Sequence, residues 1–184
     1  LLIRPSWSAA PSCPADGEPR VTITLDPGLA FGTGSHPTTR MCLRWLERHL
    51  RAGQCVIDYG CGSGILAIAA ARLGAASVTA IDIDPQALVA TRANAAVNGV
   101  TLIVQDTRTP LAGGADVVVA NILATPLKLL APLLQSLVAP GGRLVIAGLL
   151  ERQIDEVAAC YGQVGMTVAD RDEGWACLAG CKSA

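Results

Sequence analysis

The sequence is poor in aromatic residues and in charges. Only 3% of its 184 residues are aromatic and 16% are charged, against ~25% charged in a typical domain. The apolar share of 51% excludes intrinsic disorder. A formal net charge of −1 provides no basic field for nucleic acid. No apolar run approaches the ~18 residues that cross a membrane, so we expect one folded domain without a membrane span.

The sequence also lacks a regular cysteine framework. Its seven cysteines are an odd number without regular spacing, and no signal-peptide pattern precedes them. Reduced thiols in a cytoplasmic protein are therefore predicted. Cys177 and Cys181 alone resemble half of a metal site, but no second pair or nearby histidine completes one.

Composition suggests a boundary near residue 20. The chain begins at Leu1, and residues 8–20 are rich in Ser, Pro, Ala and Gly, which is typical of a linker. We expect residues 1–20 to be a linker remnant from an absent N-terminal domain. Residues 21–184 are expected to form the folded domain.

From Cys55 onward, strand and helix patterns alternate. The predicted strands are Val56–Asp58, Ser77–Ile81, Leu102–Val104, Val117–Ala120, Arg143–Ala147, Thr167–Arg171 and Trp175–Ala179. The predicted helices are 37–52, 65–73, 84–98, 127–138 and 154–161. Alternation of this kind predicts an α/β fold with a doubly wound, mostly parallel, seven-stranded sheet. The last two strands are separated by a short turn, which predicts a C-terminal antiparallel hairpin.

The strongest local motif is Asp58-Tyr-Gly60-Cys-Gly62-Ser-Gly64, between the first of these strands and the next helix. Glycines at this position let a ligand lie against the backbone. The nicotinamide fingerprint needs its third glycine at residue 65, which is Ile65. The acid two residues before Gly60 would repel a pyrophosphate and instead suits an ammonium group. A turn with glycines only for packing is the structural alternative.

Asp82 ends the second of these strands, where a carboxylate can accept hydrogen bonds from both hydroxyls of a ribose. Asp84 caps the following helix, which leaves Asp82 available. Asp106 is a weaker candidate for an adenine amino group. Ammonium, ribose and adenine without phosphate together describe S-adenosylmethionine.

With these motifs the chain resembles the class I methyltransferases, whose fold is Rossmann-like. The stretch Leu25–Thr39 (LDPGLAFGTGSHPTT) narrows the resemblance to the bacterial ribosomal protein L11 methyltransferase family. The resemblance implies S-adenosylmethionine as cofactor. It implies these cofactor-binding residues: Phe31, Thr39, Asp58, Gly60, Gly62, Asp82 and Asn121.

Asn121 also bears on the substrate. Enzymes that methylate adenine or glutamine usually carry Asn/Asp-Pro-Pro-Tyr at this position, whereas this chain has Asn121-Ile-Leu-Ala. Without a stacking aromatic residue, an aliphatic amine is favoured over a planar base. A strand-end asparagine that makes only a turn bond is the structural alternative.

Two further features have structural interpretations that we favour. His36 has the pKa range of a general base, but a structural histidine beside Pro37 is the better interpretation. Arg40, Arg44, Arg48 and Arg51 form a basic stripe on the first helix, opposite its leucines. A solvated face is favoured over a docking surface for ribosomal RNA or protein.

The resemblance implies a cytoplasmic protein N-methyltransferase. Its expected substrates are lysine side chains of a large-subunit ribosomal protein, with the N-terminal amine as a further target. Asn121 is expected to position the amine, and no residue is identified as a general base. Neither direct nucleic-acid binding nor membrane association is expected. The alternatives are a small-molecule or nucleic-acid methyltransferase, or a nucleotide-binding module without catalysis.

Overall fold

A computed structural model describes residues 1–5, 21–25, 34–111 and 113–183. The strands are β1 (Leu2–Arg4), β2 (Thr22–Thr24), β3 (Cys55–Tyr59), β4 (Ser77–Asp82), β5 (Ile103–Asp106), β6 (Ala115–Asn121), β7 (Val138–Leu150), β8 (Thr167–Asp172) and β9 (Trp175–Cys181). The helices are α1 (Pro37–His49), α2 (Ile65–Arg72), α3 (Pro85–Val97), α4 (Ala124–Leu137) and α5 (Ile154–Ala158), with a 3₁₀ turn at Glu151–Gln153.

The main sheet has seven strands in the order β5-β4-β3-β6-β7-β9-β8. Neighbouring strands from β5 to β7 are parallel. β9 pairs antiparallel with both β7 and β8. The predicted fold class is therefore confirmed: a doubly wound, mostly parallel sheet with a C-terminal antiparallel hairpin.

Two hydrophobic cores cover the two faces of this sheet. One contains the buried sides of α1, α2 and α3, and the other contains those of α4 and α5. Successive residues of β6 alternate between them, with Val117 and Val119 in the first core and Val118 and Ala120 in the second. This is why the run from Val117 to Ala120 is apolar at every position: both faces of the strand are covered by helices.

Some element ends differ from the sequence prediction. α1 stops at His49 rather than residue 52, because Leu50 has an extended backbone and Gly53 has a φ of 87°. α4 begins at Ala124 and ends at Leu137, against a prediction of 127–138, and β7 begins directly at Val138. The Lys182 ammonium donates to the carbonyls of Gln135 and Val138, both 2.9 Å away, and so caps the end of α4.

A small parallel sheet of β1 and β2 was not predicted. Ile23 of β2 is fully buried in the first core. The Asn98 side chain bonds both the N–H and the carbonyl of Thr24, at 2.8 and 2.7 Å. The segment 8–20, predicted as a linker, lies outside the described residues. The domain boundary after residue 20 therefore stays a prediction, although residues 2–4 pair with the domain's own chain.

None of the helices in the described ranges is long and apolar enough to cross a bilayer.

Candidate functional site

A cavity of about 860 Å³ opens at the carboxyl ends of β3, β4, β6 and β7. The chain runs outward from β3 to β5 and then places β6 on the other side of β3, so the cavity lies where the strand order reverses. Ligands of doubly wound sheets bind at this position. Five of the predicted site residues line the cavity: Thr39, Gly60, Gly62, Asp82 and Asn121. Phe31 lies outside the described residues.

The loop after β3 forms one wall of the cavity. Gly60 and Gly62 have φ values of 79° and 55°, a region that side-chain-bearing residues rarely adopt. A Cβ atom on Gly60 would lie 2.3 Å from Cγ2 of Ile122. Only glycine fits there, and the backbone of this loop therefore faces the cavity without side chains in the way.

Asp82 holds this loop in place from the neighbouring strand. Its Oδ2 accepts the Gly62 N–H at 2.9 Å, and its Oδ1 accepts the Asp84 N–H at 3.0 Å. The expectation that Asp82 is free of such contacts was wrong, although Asp84 does cap α3 by accepting the Gln86 N–H. Each carboxylate oxygen has a further lone pair, so Asp82 can still accept from two ligand hydroxyls.

Asp58 lies behind the loop rather than on the cavity wall. Its side chain is fully buried, and Oδ2 accepts the Ala67 N–H at 3.0 Å near the start of α2. The other oxygen, Oδ1, is buried without a hydrogen-bond partner. Burial raises the pKa of the Asp58 carboxyl to about 7, and the nearby Asp82 charge adds to the rise, while the Ala67 N–H opposes it. Within the protein, Asp58 therefore anchors the helix that follows the loop.

Thr39 and Asn121 meet on the opposite side of the cavity. Thr39 is the third residue of α1, is fully buried and lines the cavity. Asn121 ends β6, and its Nδ2 donates to Thr39 Oγ1 at 3.2 Å. With the amide nitrogen directed at Thr39, the amide oxygen is the acceptor that Asn121 can offer to a ligand. Two residues 82 positions apart in the chain, each implied by the resemblance to bind the cofactor, are thus brought into contact.

His36 has a structural role at the start of α1. It is the N-cap residue, and its Nδ1 accepts the Thr38 N–H at 3.4 Å and lies 2.8 Å from Thr38 Oγ1. Its ring meets Trp175 edge to face, with the ring centres 5.0 Å apart. These contacts engage Nδ1 and favour the interpretation of a structural histidine over that of a general base.

The sequence prediction missed several residues of the wall. Ile83 follows Asp82 directly, lines the cavity and is 81% exposed, which is unusual for a large apolar side chain. Its position after a strand-end acid was the available signal. Trp175, Ile122 and Gly148 also line the cavity. No local pattern marked them, because β7, β9 and the end of β6 converge only in the folded sheet.

Asp106 does not reach the cavity. Its carboxylate accepts the N–H groups of Arg108 and Thr109, at 3.1 and 3.0 Å, and forms an ion pair with Arg108. It therefore closes the turn after β5, and the suggested contact with an adenine group has no support in this geometry. The neighbouring Thr107 lines the cavity instead.

Among the described residues, the one cysteine that lines the cavity is not a nucleophile, and no group of side chains could hold a metal ion. Cys61 lines the cavity, but burial raises the pKa of its thiol to about 12 and keeps it protonated at neutral pH. Cys177 and Cys181 lie four residues apart in β9, about 13 Å along an extended strand. That distance is too great for one metal ion to bind both.

The arginine stripe is partly engaged within the protein. Arg40 pairs with Asp172 and Glu173, and Arg44 pairs with Asp170 and Asp172, at distances of 2.8–3.3 Å. The prediction of a purely solvated face was therefore wrong for Arg40 and Arg44. They attach α1 to the C-terminal hairpin, which brings His36 and Trp175 together at the cavity.

Asp172→Asn should lower the melting temperature by roughly 2–4 °C at neutral pH, because it removes the carboxylate shared by both arginines. Hydrogen bonding to Arg40 and Arg44 holds the pKa of Asp172 below its ordinary value, so this stability is present at neutral pH and disappears on acidification. Thermal unfolding at pH 7 and about pH 3, with and without about 1 M NaCl, measures the effect. Asp155→Asn, a change of equal charge on exposed α5, is the control. A salt-independent loss would contradict the assignment.

Comparisons with known proteins match the chain to one family. A family model described as "Ribosomal protein L11 methyltransferase (PrmA)" matches residues 1–183. The chain is 58% identical over 183 residues to the ribosomal protein L11 methyltransferase of Dechloromonas aromatica and 55% identical over 189 residues to that of Bordetella parapertussis. These alignments cover 99% and 100% of this chain but only 60% and 62% of the relatives. The chain thus spans about six tenths of their length.

Solved structures show the same relationship. A ribosomal protein L11 methylase from Lactobacillus delbrueckii subsp. bulgaricus superposes with a TM-score of 0.87 at 36% identity, covering 99% of this chain and 94% of that one. A methyltransferase from Pyrococcus furiosus has a TM-score of 0.71 at 16% identity, over 88% of this chain and 90% of that one. The second likeness concerns the fold alone.

Proposed function

The chain belongs to the ribosomal protein L11 methyltransferase family, and from this premise we propose that it transfers methyl groups from S-adenosylmethionine to amines of ribosomal protein L11. Lysine side chains are the proposed targets, with the N-terminal amine as a further one. The observation that carries the proposal is the cavity itself. It has a carboxylate, Asp82, on one wall, where it suits the two hydroxyls of a ribose, and the Thr39–Asn121 pair on the other.

The residues present fit S-adenosylmethionine. The side-chain-free backbone of Gly60 and Gly62 suits its methionine part, and the remaining lone pairs of Asp82 suit its ribose hydroxyls. The exposed Ile83 side chain next to Asp82 offers an aliphatic surface for the adenine ring. When bound, this cofactor supplies an electrophilic methyl carbon on a sulfonium.

Asn121 would orient the attacking amine. Its amide oxygen accepts an N–H from the substrate, which directs the nitrogen lone pair away from Asn121 and into the cavity. The bond from Asn121 Nδ2 to Thr39 Oγ1 fixes the amide plane. In-line displacement depends on positioning rather than on a covalent intermediate, so a fixed acceptor of this kind is sufficient.

Deprotonation is the costly step for a lysine nucleophile. An amine with a pKa of ~10.4 is neutral in only about one molecule in 2,500 at pH 7. The free-energy cost of deprotonating it at that pH is therefore ~4.6 kcal/mol. The aliphatic side chains of Ile122 and Leu123 line the cavity and disfavour a charged ammonium there, which lowers the amine pKa. We therefore assign no general base: desolvation favours the neutral amine, and the ammonium releases its proton to solvent water as it enters the cavity.

The chemistry beside Asn121 favours an aliphatic amine over a nucleobase. The two residues that follow Asn121 at the cavity are the aliphatic Ile122 and Leu123, so this segment offers a planar substrate no aromatic ring to stack on. The flexible stem of a lysine instead packs against aliphatic side chains. L11 is thus the proposed partner, and a cytoplasmic location and the absence of nucleic-acid binding remain predictions.

The test is methyl transfer from labelled S-adenosylmethionine to purified L11, with ribosomal RNA as a parallel substrate and mass spectrometry to locate the label. We expect label on L11 amines, and a fall in kcat of about tenfold for Asn121→Ala from the loss of one positioning bond. Label on RNA alone would indicate the nucleic-acid alternative. Cofactor binding without transfer to either substrate would indicate a module without catalysis.

A further inference from the structure

The segment after β6 is held between two glycines from the neighbouring strands. On the β3 side, a Cβ on Gly60 would lie 2.3 Å from Ile122 Cγ2. On the β7 side, a Cβ on Gly148 would lie 2.2 Å from the Ile122 carbonyl oxygen and 2.7 Å from its carbon. Ile122 therefore fits in its place only because the residues on both sides, Gly60 and Gly148, have no side chain.

Gly148 occupies an irregular position in β7. The pairing of β7 with β9 skips one residue between Ala147 and Leu149, so Gly148 is the extra residue of a bulge. Its φ is 97°. The Ile122 N–H donates to the Ala147 carbonyl at 3.1 Å, which attaches the segment to β7 immediately beside the bulge.

These contacts also fix the position of Asn121, which precedes Ile122 in the chain. Asn121 is paired with Ala147 in the sheet, and its side chain is fixed by Thr39. The carbonyl that meets Gly148 belongs to the backbone and cannot rotate away as a side chain could, because the Ile122 N–H is bonded to the Ala147 carbonyl. A displacement at Gly148 is therefore transmitted to the Asn121 amide.

We infer that Gly148, acting with Gly60 through Ile122, is a positioning residue that sets the place of the Asn121 amide. The inference rests on the proposed function, in which Asn121 orients the amine. Productive geometry tolerates errors of only about 0.5 Å, and a Cβ at position 148 demands a larger shift of the Ile122 carbonyl. The bulge thus holds the Asn121 amide at a defined position in the cavity, although Gly148 itself has no side chain.

The experiment compares Gly148→Ala with Gly114→Ala. Gly114 has a φ of 96°, against 97° at Gly148, but no atom lies within 4 Å of the Cβ built on it. The two variants therefore place a side chain at nearly the same positive φ and differ in the contact with Ile122. Two readouts are needed: the side-chain amide resonance of Asn121 in ¹⁵N-labelled protein, identified by its loss in Asn121→Asp, and steady-state kinetics on L11.

For Gly148→Ala we expect a shifted or broadened Asn121 resonance and a kcat about tenfold lower. The Kd for S-adenosylhomocysteine should stay within about threefold of the unmodified chain, because Asp82 and Gly62 are untouched. Gly114→Ala should leave the resonance and kcat unchanged. Equal resonances and equal kcat in the two variants would overturn the inference.

A second variant covers the case in which Gly148→Ala does not fold. Ile122→Leu keeps the side-chain volume but removes the Cγ2 methyl that faces Gly60. It should shift the Asn121 resonance and lower kcat about threefold, and an unchanged resonance would overturn the inference. The resonance is measured without cofactor or substrate. It therefore decides the inference even if L11 proves not to be a substrate, an outcome that the kinetics of the unmodified chain reveal separately.

Discussion

Asp82→Ala should weaken S-adenosylhomocysteine binding at least about thirtyfold. The proposed ribose hydroxyls would lose both of their acceptors, and each unpaired buried donor costs ~1–3 kcal/mol, so the lower end of the range already corresponds to this factor. The substitution also removes the hydrogen bond that Asp82 accepts from the Gly62 N–H, and a less firmly held loop weakens binding further. Isothermal titration calorimetry on the folded variant measures the change.

The matched control for this prediction is Asp84→Ala. Asp84 lies two residues further on and accepts the Gln86 N–H at the start of α3. Its loss should cost ~1 kcal/mol of stability as a missing helix cap and leave the affinity within about threefold. If a folded Asp82→Ala protein binds S-adenosylhomocysteine as tightly as the wild type does, Asp82 is not part of the cofactor site.

Asp58 should make the folded chain less stable as the pH rises. Its pKa is about 7 in the folded protein and 3.8 in its ordinary state, so the folded chain binds the proton more tightly. The contribution of this group to the free energy of unfolding is therefore greatest below about pH 4. It falls as the pH rises to about 7 and is constant above that, with a total change of roughly 4 kcal/mol.

The measurement is denaturant unfolding of the wild type and Asp58→Asn at about pH 4 and about pH 8. The amide oxygen of asparagine can still accept the Ala67 N–H but carries no charge. The stability of the variant relative to the wild type should rise by roughly 4 kcal/mol between the two pH values. Asp116→Asn is the control, because that carboxylate also accepts one backbone N–H but at an exposed position. A parallel pH dependence in wild type and Asp58→Asn would show that Asp58 ionises freely in the fold.

Local sequence patterns predicted the elements that build the site. The apolar run of β6 indicated a central parallel strand, and two covered faces explain it. The glycines at positions 60 and 62 indicated a turn open to a ligand, and both have the positive φ values that require glycine. Asp82 was placed correctly at the end of its strand. In each case the signal lies in the residue types of one short segment.

The same patterns could not show how carboxylates and arginines are used. Asp58 and Asp82 both follow apolar strand residues, yet one is buried behind the loop and the other lines the cavity. Arg40 and Arg44 lie on the outer side of α1, and their partners in β8 are 126–132 residues away in the chain. Strand and helix periodicity reports which face of a segment is buried, not which distant residue faces it.

The sequence by itself determined the doubly wound sheet, the loop after β3 and the acid at the end of β4, because these depend on backbone preference and on burial within single segments. Only the tertiary structure decided that Asn121 meets Thr39, that Trp175 closes the cavity and that Gly148 leaves room for Ile122. Those contacts join the ends of strands that are far apart in the chain. Their distances depend on how the sheet twists and pairs, which no local pattern encodes.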